Sequence, residues 1–310
     1  MLLQSARPLG GHLVARNDIP KKGRKSLRCT QAWRLIIDHE QDAYTNMAVD
    51  EVLFEGQIRG ESPPTLRFYS WRPPAISLGY AQNIATIDLE SCSLWGISLV
   101  RRITGGRAIL HEGDFTYSIT AREDNPVVQG TLMDTYRKIS QALLAGLQQL
   151  GLQAAFSPGD KDPGAVPAPA SGAAACFAAT SRYELTVNGK KIIGSAQRRK
   201  QGAVLQQGSL PLQDTSKKLF SLLQFSDPGQ RLLAHERYLK RATSLYEALR
   251  RPVTFDDVAA AFLGGMGSAF QVELAPGCLH PDEIEQAERL RCSKYASENW
   301  NISGRENAPL

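Results

Sequence analysis

Three short stretches of this 310-residue chain carry side chains able to do chemistry. Cys176 follows a run rich in Pro, Gly and Ala over residues 157–175 and precedes a hairpin segment at 183–197. A thiol has an ordinary pKa of about 8.5, so it is mostly protonated at neutral pH, and a nearby ammonium raises the thiolate fraction. Lys190 and Lys191 in the hairpin are the candidate ammonium groups. A thiol at the end of a pliable loop beside a lysine-bearing hairpin suits acyl transfer. The same cysteine also reads as a small buried hydrophobe, as its Ala-rich flank suggests. The third stretch is Arg101-Arg-Ile-Thr-Gly-Gly-Arg-Ala-Ile-Leu-His111. Gly105 and Gly106 after a strand let the backbone approach a ligand closely, and the basic flanks Arg102 and Arg107 favour an anionic or carbonyl-rich one. Two glycines after a strand also make an ordinary turn. The stretch is neither a P-loop nor a dinucleotide fingerprint. His111 reads as a base, a ligand-positioning group or a structural histidine. The five histidines (His12, His39, His111, His235, His280) are scattered without metal-ligand spacing, so no metal site is expected.

The elements that must position these residues are legible in outline. Trp33-Arg-Leu-Ile-Ile37, Thr65 to Trp71, Ala75 to Gly79, Ser98 to Arg102, Asp114 to Thr120 and Ala203 to Gly208 read as strands. A helix starts near Asp42, with Tyr44, Ala48, Val49, Val52 and Leu53 on one side. The clearest helix follows Thr131, which caps with Asp134; Leu132, Tyr136, Ile139, Leu143, Leu147 and Leu150 form its stripe and Gly151 ends it. After about residue 215 the pattern turns helical, with one helix opened by Thr254 and Asp257 and another by Pro281 through Ile284 and Ala287. Strands before about Leu212 and helices after it predict an α+β fold, a mixed β-sheet core flanked by helices. Asn188-Gly189 predicts a two-residue type I′ turn, because both positions need φ > 0. That turn pairs Val187 with Lys190, Thr186 with Lys191, Leu185 with Ile192 and Glu184 with Ile193. The pleat then sends the two lysines to opposite faces, with Lys191 on the face of Glu184 and Thr186, so only one can enter a given site.

Composition sets the remaining bounds. With 42% hydrophobic residues the chain can bury a sizeable core. It has no run of about 18 apolar residues, so no membrane span is expected. Five cysteines without paired spacing fit a reducing compartment. The net charge of +5 comes from the head: residues 1–30 hold seven Lys or Arg and one acid, and the rest carries 29 basic and 30 acidic residues. The globular part is near neutral and gives no reason to expect nucleic-acid binding. The head, residues 1–30, reads as a disordered basic extension or as an organelle transit segment. Residues 31–303 read as one catalytic domain, with a mobile loop at about 157–175 and a helical C-terminal part from about 215.

Taken together and in order, the Arg101–His111 stretch, Asn188-Gly-Lys-Lys-Ile-Ile-Gly-Ser-Ala-Gln197 and Leu205-Gln-Gln-Gly-Ser209 resemble the lipoate-protein ligase A and lipoyl(octanoyl)transferase family, related to biotin-protein ligases. Tyr295-Ala-Ser-Glu-Asn-Trp-Asn301 looks like that family's late motif, and the likeness runs over residues 33–301. The resemblance implies a biotin/lipoyl protein ligase-like catalytic domain. Cys176-Phe177, Tyr183-Glu184, Lys191 and Gly194-Ser-Ala-Gln197 look most like the cysteine-dependent octanoyltransferases, the LipM type. Arg107 stands where the ligases more often carry a third glycine, and Gln206-Gln207 where the transferases often show Gln-His.

On that likeness Cys176 is the acyl-accepting nucleophile and Lys191 the site lysine, while Arg102, Gly105, Gly106, Arg107, His111, Gly194, Ser195 and Ala196 contact substrate. The implied reaction moves an octanoyl group from octanoyl-acyl carrier protein to a lysine of a lipoyl-domain protein, such as the glycine cleavage H protein or a 2-oxoacid dehydrogenase E2 subunit. It needs no ATP and no cofactor, and a cytoplasmic location is expected. Lys191 would stabilise the developing oxyanion, an effect worth about 3–4 kcal/mol in comparable sites. Phe115, Tyr117 and Ile119, on one strand face, are expected to line the acyl tunnel. The alternatives implied are an ATP-dependent lipoate ligase, an amidotransferase between lipoyl domains, or a non-catalytic binder of acyl-carrier or lipoyl domains.

Overall fold

The computed structural model of the protein describes residues 32–157 and 183–304. The basic head, Cys176 and the expected mobile loop beyond Ser157 lie outside the described residues. The chain runs β1 (Ala32–Gln41), α1 (Ala43–Arg59), β2 (Thr65–Trp71), β3 (Ala75–Leu78), α2 (Leu89–Leu94), β4 (Ser98–Arg101), β5 (Ile109–His111), β6 (Asp114–Arg122), α3 (Leu132–Gln149) and β7 (Ala154–Phe156). It resumes with β8 (Leu185–Val187), β9 (Lys190–Lys191), β10 (Gly194–Lys200), β11 (Ala203–Pro211), α4 (Ser216–Ser221), α5 (Pro228–Arg241), α6 (Leu245–Leu249), α7 (Phe255–Phe270), β12 (Glu273–Pro276) and α8 (Pro281–Leu290). Wider helical turns follow at Arg291–Tyr295 and Asn299–Ser303.

Six strands form the central sheet in the order β10-β11-β6-β2-β1-β12. The pairs β12–β1 and β1–β2 are parallel, with α1 as the crossover between β1 and β2; β2–β6, β6–β11 and β11–β10 are antiparallel. Two three-stranded sheets, β4-β3-β5 and β7-β8-β9, stand beside it. The mixed sheet with flanking helices is the α+β arrangement expected. One strand falls outside the expected order: β12 sits in the helical C-terminal part and forms the sheet edge beside β1. Four residues ending at Pro276 are too short a run to be read as a strand without the partner they pair with.

Both faces of the sheet are covered. On one, Phe68, Phe115, Tyr117 and Ile119 pack with Ile139, Leu143, Leu147 and Phe262 of α3 and α7. The two helices cross closely: a Cβ built on Gly265 would stand 2.4 Å from the Gly146 backbone nitrogen. On the other face α1 lies against the sheet and α8, with Met47, Val52, Leu53 and Phe54 buried beside Tyr69 and Trp71. Asp42 caps α1 by accepting from the Tyr44 and Thr45 amides. Unlike the one-sided helix expected, α1 is buried nearly all round, including Asn46, Asp50, Glu51 and Gln57. Burying these groups is tolerable because each is hydrogen-bonded. Glu51, for example, accepts from Lys294 at 2.8 Å and from Tyr295 at 2.6 Å. The stripe of α3 is buried from Tyr136 onward, but Leu132 is 49% exposed, as is Ile284 of α8 at 54%. No helix among the described residues is long and apolar enough to cross a membrane.

Candidate active site

A cleft opens where α1 and the small sheet β4-β3-β5 meet the central sheet. Its wall takes Trp71 from β2, Ser77 from β3, His111 from β5, Thr116 from β6, Gly194-Ser195-Ala196 from β10 and Gln207 to Ser209 from β11. Arg102 also lines it. Alternation decides which strand residues reach the cleft: Thr116 and Ser209 are register partners on the α1 side, whereas Phe115 and Ile119 point to α3 and α7. Phe115, Tyr117 and Ile119, expected to line an acyl tunnel, are not among the lining of this cleft. Those side chains fill the opposite core, and Tyr117 abuts the cleft wall with its ring beside Gly208 and its hydroxyl 2.8 Å from Ser195 Oγ.

His111 is held on every side. Its ring stacks on Trp71 with centroids 3.8 Å apart. Nδ1 is 2.7 Å from Asp114 Oδ2, and Nε2 is 2.8 Å from Ser77 Oγ. The carboxylate is an acceptor, so Nδ1 donates to it, and Ser77 Oγ is the hydrogen-bond partner of Nε2. Thr116 and Ser209 hydroxyls donate to the same carboxylate oxygen at 3.1 and 2.6 Å. With both nitrogens engaged, the imidazole forms a fixed part of the cleft wall.

Arg102 organises the loop that follows β4. Its guanidinium donates to Ser77 O and Oγ, to Gly105 O and to Arg107 O, at 2.8 to 3.2 Å. The loop then folds back on β3, where a Cβ on Gly79 would stand 1.9 Å from Gly106 O. Gly106 has φ +95°, open to glycine and strained for other residues. Gly105 and Gly106 are exposed and Arg107 half-buried, and none of the three lines the cleft. Arg101 is spent on structure: it donates to six backbone carbonyls, those of Gly79, Tyr80, Gln82, Trp300, Asn301 and Ile302. In return Trp300 Nε1 donates to Arg101 O and Asn301 Oδ1 accepts from the Arg101 amide. The late Tyr295–Asn301 motif thus clamps the strand that leads into the loop.

The hairpin has the register expected, with Val187 opposite Lys190 and Thr186 opposite Lys191. Lys191 is buried and its Nζ lies 2.6 Å from Glu184 Oε1, while Lys190 is half-buried. Lys191 does not itself line the cleft; Ile192 and Ile193, both in the core, separate it from the Gly194–Ala196 wall.

Beneath the cleft lies a polar cluster that sequence reasoning missed. Asp50 accepts from Arg67, Ser118, Tyr69 and Gln207, at 2.6 to 2.9 Å. Burial, reinforced by the Asp50 carboxylate, holds the Tyr69 phenol well above its ordinary pKa, so it remains a donor. Asp114 sits only three residues after His111, a spacing that was available as a signal; Ser77 and Asp50 carried none, because only the packing of α1 and β3 onto the sheet brings them here.

Among the residues expected to form the site, the structure brings Arg102, His111, Gly194, Ser195 and Ala196 to one cleft. Residues 42–267 match the lipoyl protein ligase A/B catalytic domain family. An octanoyltransferase LipM of Symbiobacterium thermophilum is 42% identical over 273 residues, 87% of this chain and 98% of that protein. The octanoyltransferase LipM of Bacillus subtilis is 36% identical over 274 residues, again 87% and 98%. Among solved structures, a bipartite lipoate protein ligase from Thermoplasma acidophilum has a TM-score of 0.73 at 22% identity, covering 91% of this chain and 100% of that one. A lipoate-protein ligase A bound with ATP has a TM-score of 0.70 at 24% identity, over 88% and 98%. The fold is shared with these ligases, and the sequence matches the octanoyltransferases along nearly their whole length: the chain belongs to the lipoyl protein ligase A/B catalytic domain family.

Proposed function

We propose that the protein is an octanoyltransferase of lipoate biosynthesis that works through a Cys176 thioester. The observation that carries the activity is the near-complete overlap with octanoyltransferases at 36–42% identity. The route is supported by the hairpin register, which buries Lys191 against Glu184 just before the strand that walls the cleft. The donor is octanoyl-acyl carrier protein and the acceptor a lysine of a lipoyl-domain protein, with the glycine cleavage H protein the first candidate and 2-oxoacid dehydrogenase E2 subunits next.

In the first step the Cys176 thiolate attacks the thioester carbonyl; the new C–S bond forms, the carrier C–S bond breaks, and the carrier thiolate leaves and takes up a proton. One thioester replaces another, so no ATP is consumed. In the second step the acceptor amine attacks octanoyl-Cys176, loses a proton, and expels the Cys176 thiolate. Amide formation makes this step downhill. Lys191, buried against Glu184 and outside the lining of the described cleft, is the residue this reading assigns to the oxyanion that develops at the carbonyl in each step; reaching it requires the ammonium to turn from Glu184 toward the thioester. Arg102 fixes the Gly105–Arg107 loop, while His111 and the Gly194–Ala196 strand form the wall against which the acyl group is held. The same reading takes a cytoplasmic location as its site of action.

Intact mass after incubation with octanoyl-acyl carrier protein, without ATP, tests the scheme. The expected result is one added octanoyl group, removed by neutral hydroxylamine and absent in Cys176→Ala. Acceptor modification only when free octanoate and ATP are supplied would instead make the protein a ligase and Cys176 a bystander.

A further inference from the structure

A second groove lies next to the cleft, between the β5 and β11 ends and the helices α5 and α6. Ile109 lines both cavities, so they adjoin. The groove also touches the site lysine: Thr243, on its wall, donates its amide to Lys191 O at 3.0 Å, and Ala242 is bridged to Lys191. Its lining mixes hydroxyls and carboxylates, such as Ser216, Thr243 and Glu247, with apolar Tyr238 and Leu239. Helix α5 forms the rim. Its inner side is anchored by His235, whose Nε2 is 2.8 Å from Ser216 Oγ, and by Tyr238 against Phe220. No α5 residue is fully buried. The outer side exposes Leu232 and Leu233, at 64% and 54%, together with Arg237, Lys240 and Arg241. Glu236 is the one acid within that exposed set, and neither Arg237 nor Lys240 has an ion-pair partner among the described residues.

We infer that the outer face of α5 is the docking surface for the octanoyl donor, a carrier protein presenting an acidic surface, and that the groove beneath it admits the donor's arm. The inference rests on the octanoyl-transfer reading. A leucine pair followed along the same helix by three exposed cations matches an acidic helix with an apolar patch, because opposite charges steer the encounter while the leucines lose their water on contact. The groove fits the donor better than the acceptor. A carrier's prosthetic arm bears amides and a hydroxyl along its length, which the groove's hydroxyls and carboxylates can meet. An acceptor lysine stem has only methylenes before its terminal amine.

The test compares two donors with the full-length Arg237→Glu/Lys240→Glu variant: octanoyl-acyl carrier protein and the small thioester octanoyl-N-acetylcysteamine, reading Cys176 acylation by mass. Both substituted side chains are solvent-exposed, and a thermal melt checks that folding is intact. The expected result is a kcat/KM for the carrier-bound donor lower by about tenfold or more, carried by KM, with the small thioester within about twofold of the unsubstituted protein. Salt should mimic the variant for the carrier donor and leave the small donor unaffected. An unchanged carrier reaction, or an equal loss with both donors, would overturn the docking surface. A raised KM for the acceptor domain alone would assign α5 to the acceptor instead, also overturning it. If the unsubstituted protein is acylated by neither donor, the transferase reading itself falls and the docking surface with it.

Discussion

Lys191 Nζ stands 2.6 Å from Glu184 with both side chains removed from water, so a substitution at either changes two things at once. Removing the lysine deletes the proposed oxyanion donor and also leaves a buried carboxylate without its counter-charge. Breaking a buried pair from one side costs about 3–5 kcal/mol, whereas replacing both partners by neutral groups is often nearly neutral. Lys191→Ala should therefore lower both stability and activity, the rate by roughly 10²–10³-fold. The double variant Glu184→Gln/Lys191→Met should recover most of the stability while activity stays low. Chemical denaturation run beside acylation kinetics separates the two losses; activity returning along with stability would make Lys191 a structural residue. Lys190→Ala, on the half-buried neighbour, should change little in either. The choice between the two lysines was legible from the Asn188-Gly189 turn, since turn length fixes register and register fixes the face. The partner of His111 was not legible in the same way: Ser77 is remote in sequence and arrives through the β3–β5 pairing.

At the scale of elements, caps were readable because they are local. Thr131 with Asp134 and Thr254 with Asp257 form reciprocal capping boxes at the starts of α3 and α7. Burial was less readable. Leu132 and Ile284 fall on apolar stripes yet face solvent, because a stripe says which side of a helix is apolar and not how far along it a neighbour extends. The α3–α7 crossing depends on two glycines whose role is visible only once the helices meet. Gly265→Val would drive its side chain into the Gly146 backbone, 2.4 Å from where its Cβ must stand. Such overpacking costs about 1–3 kcal/mol or more. The expected outcome is a lowered melting temperature, and, because α3 and α7 lie on the sheet face away from the cleft, near-normal acylation below the melt. A melt unchanged from the parent would show that the two helices shift apart freely.

At the scale of the whole molecule, charge is divided unevenly along the chain. Residues 1–30 carry the basic excess, and the remainder is near neutral. All residues of the described cleft, and those of the groove beside it, come from α1 through α6. Deleting residues 1–28 should therefore leave acylation and transfer in vitro within about twofold of the full chain. A large loss on deletion would make the basic head part of the catalytic unit. The local cationic face of α5, by contrast, persists in a near-neutral domain, and at physiological salt a charge cluster acts over its own Debye length of about 8 Å rather than through net charge.

Sequence alone determined what depends on near neighbours: the strands around β2, β6 and β11, the approximate start of α1, the capped starts of α3 and α7, the hairpin register, and the ordered motifs that mark the family. These follow from turn geometry, side-chain period and capping, each set within a few residues. Only the tertiary structure decided what depends on layers meeting. It placed β12 beside β1, turned Phe115 and Ile119 away from the cleft, buried Asp50 under four donors, and gave Arg101 six carbonyls to hold. A strand's alternation separates its two faces, but which face meets a helix and which meets substrate is fixed by the elements packed against them.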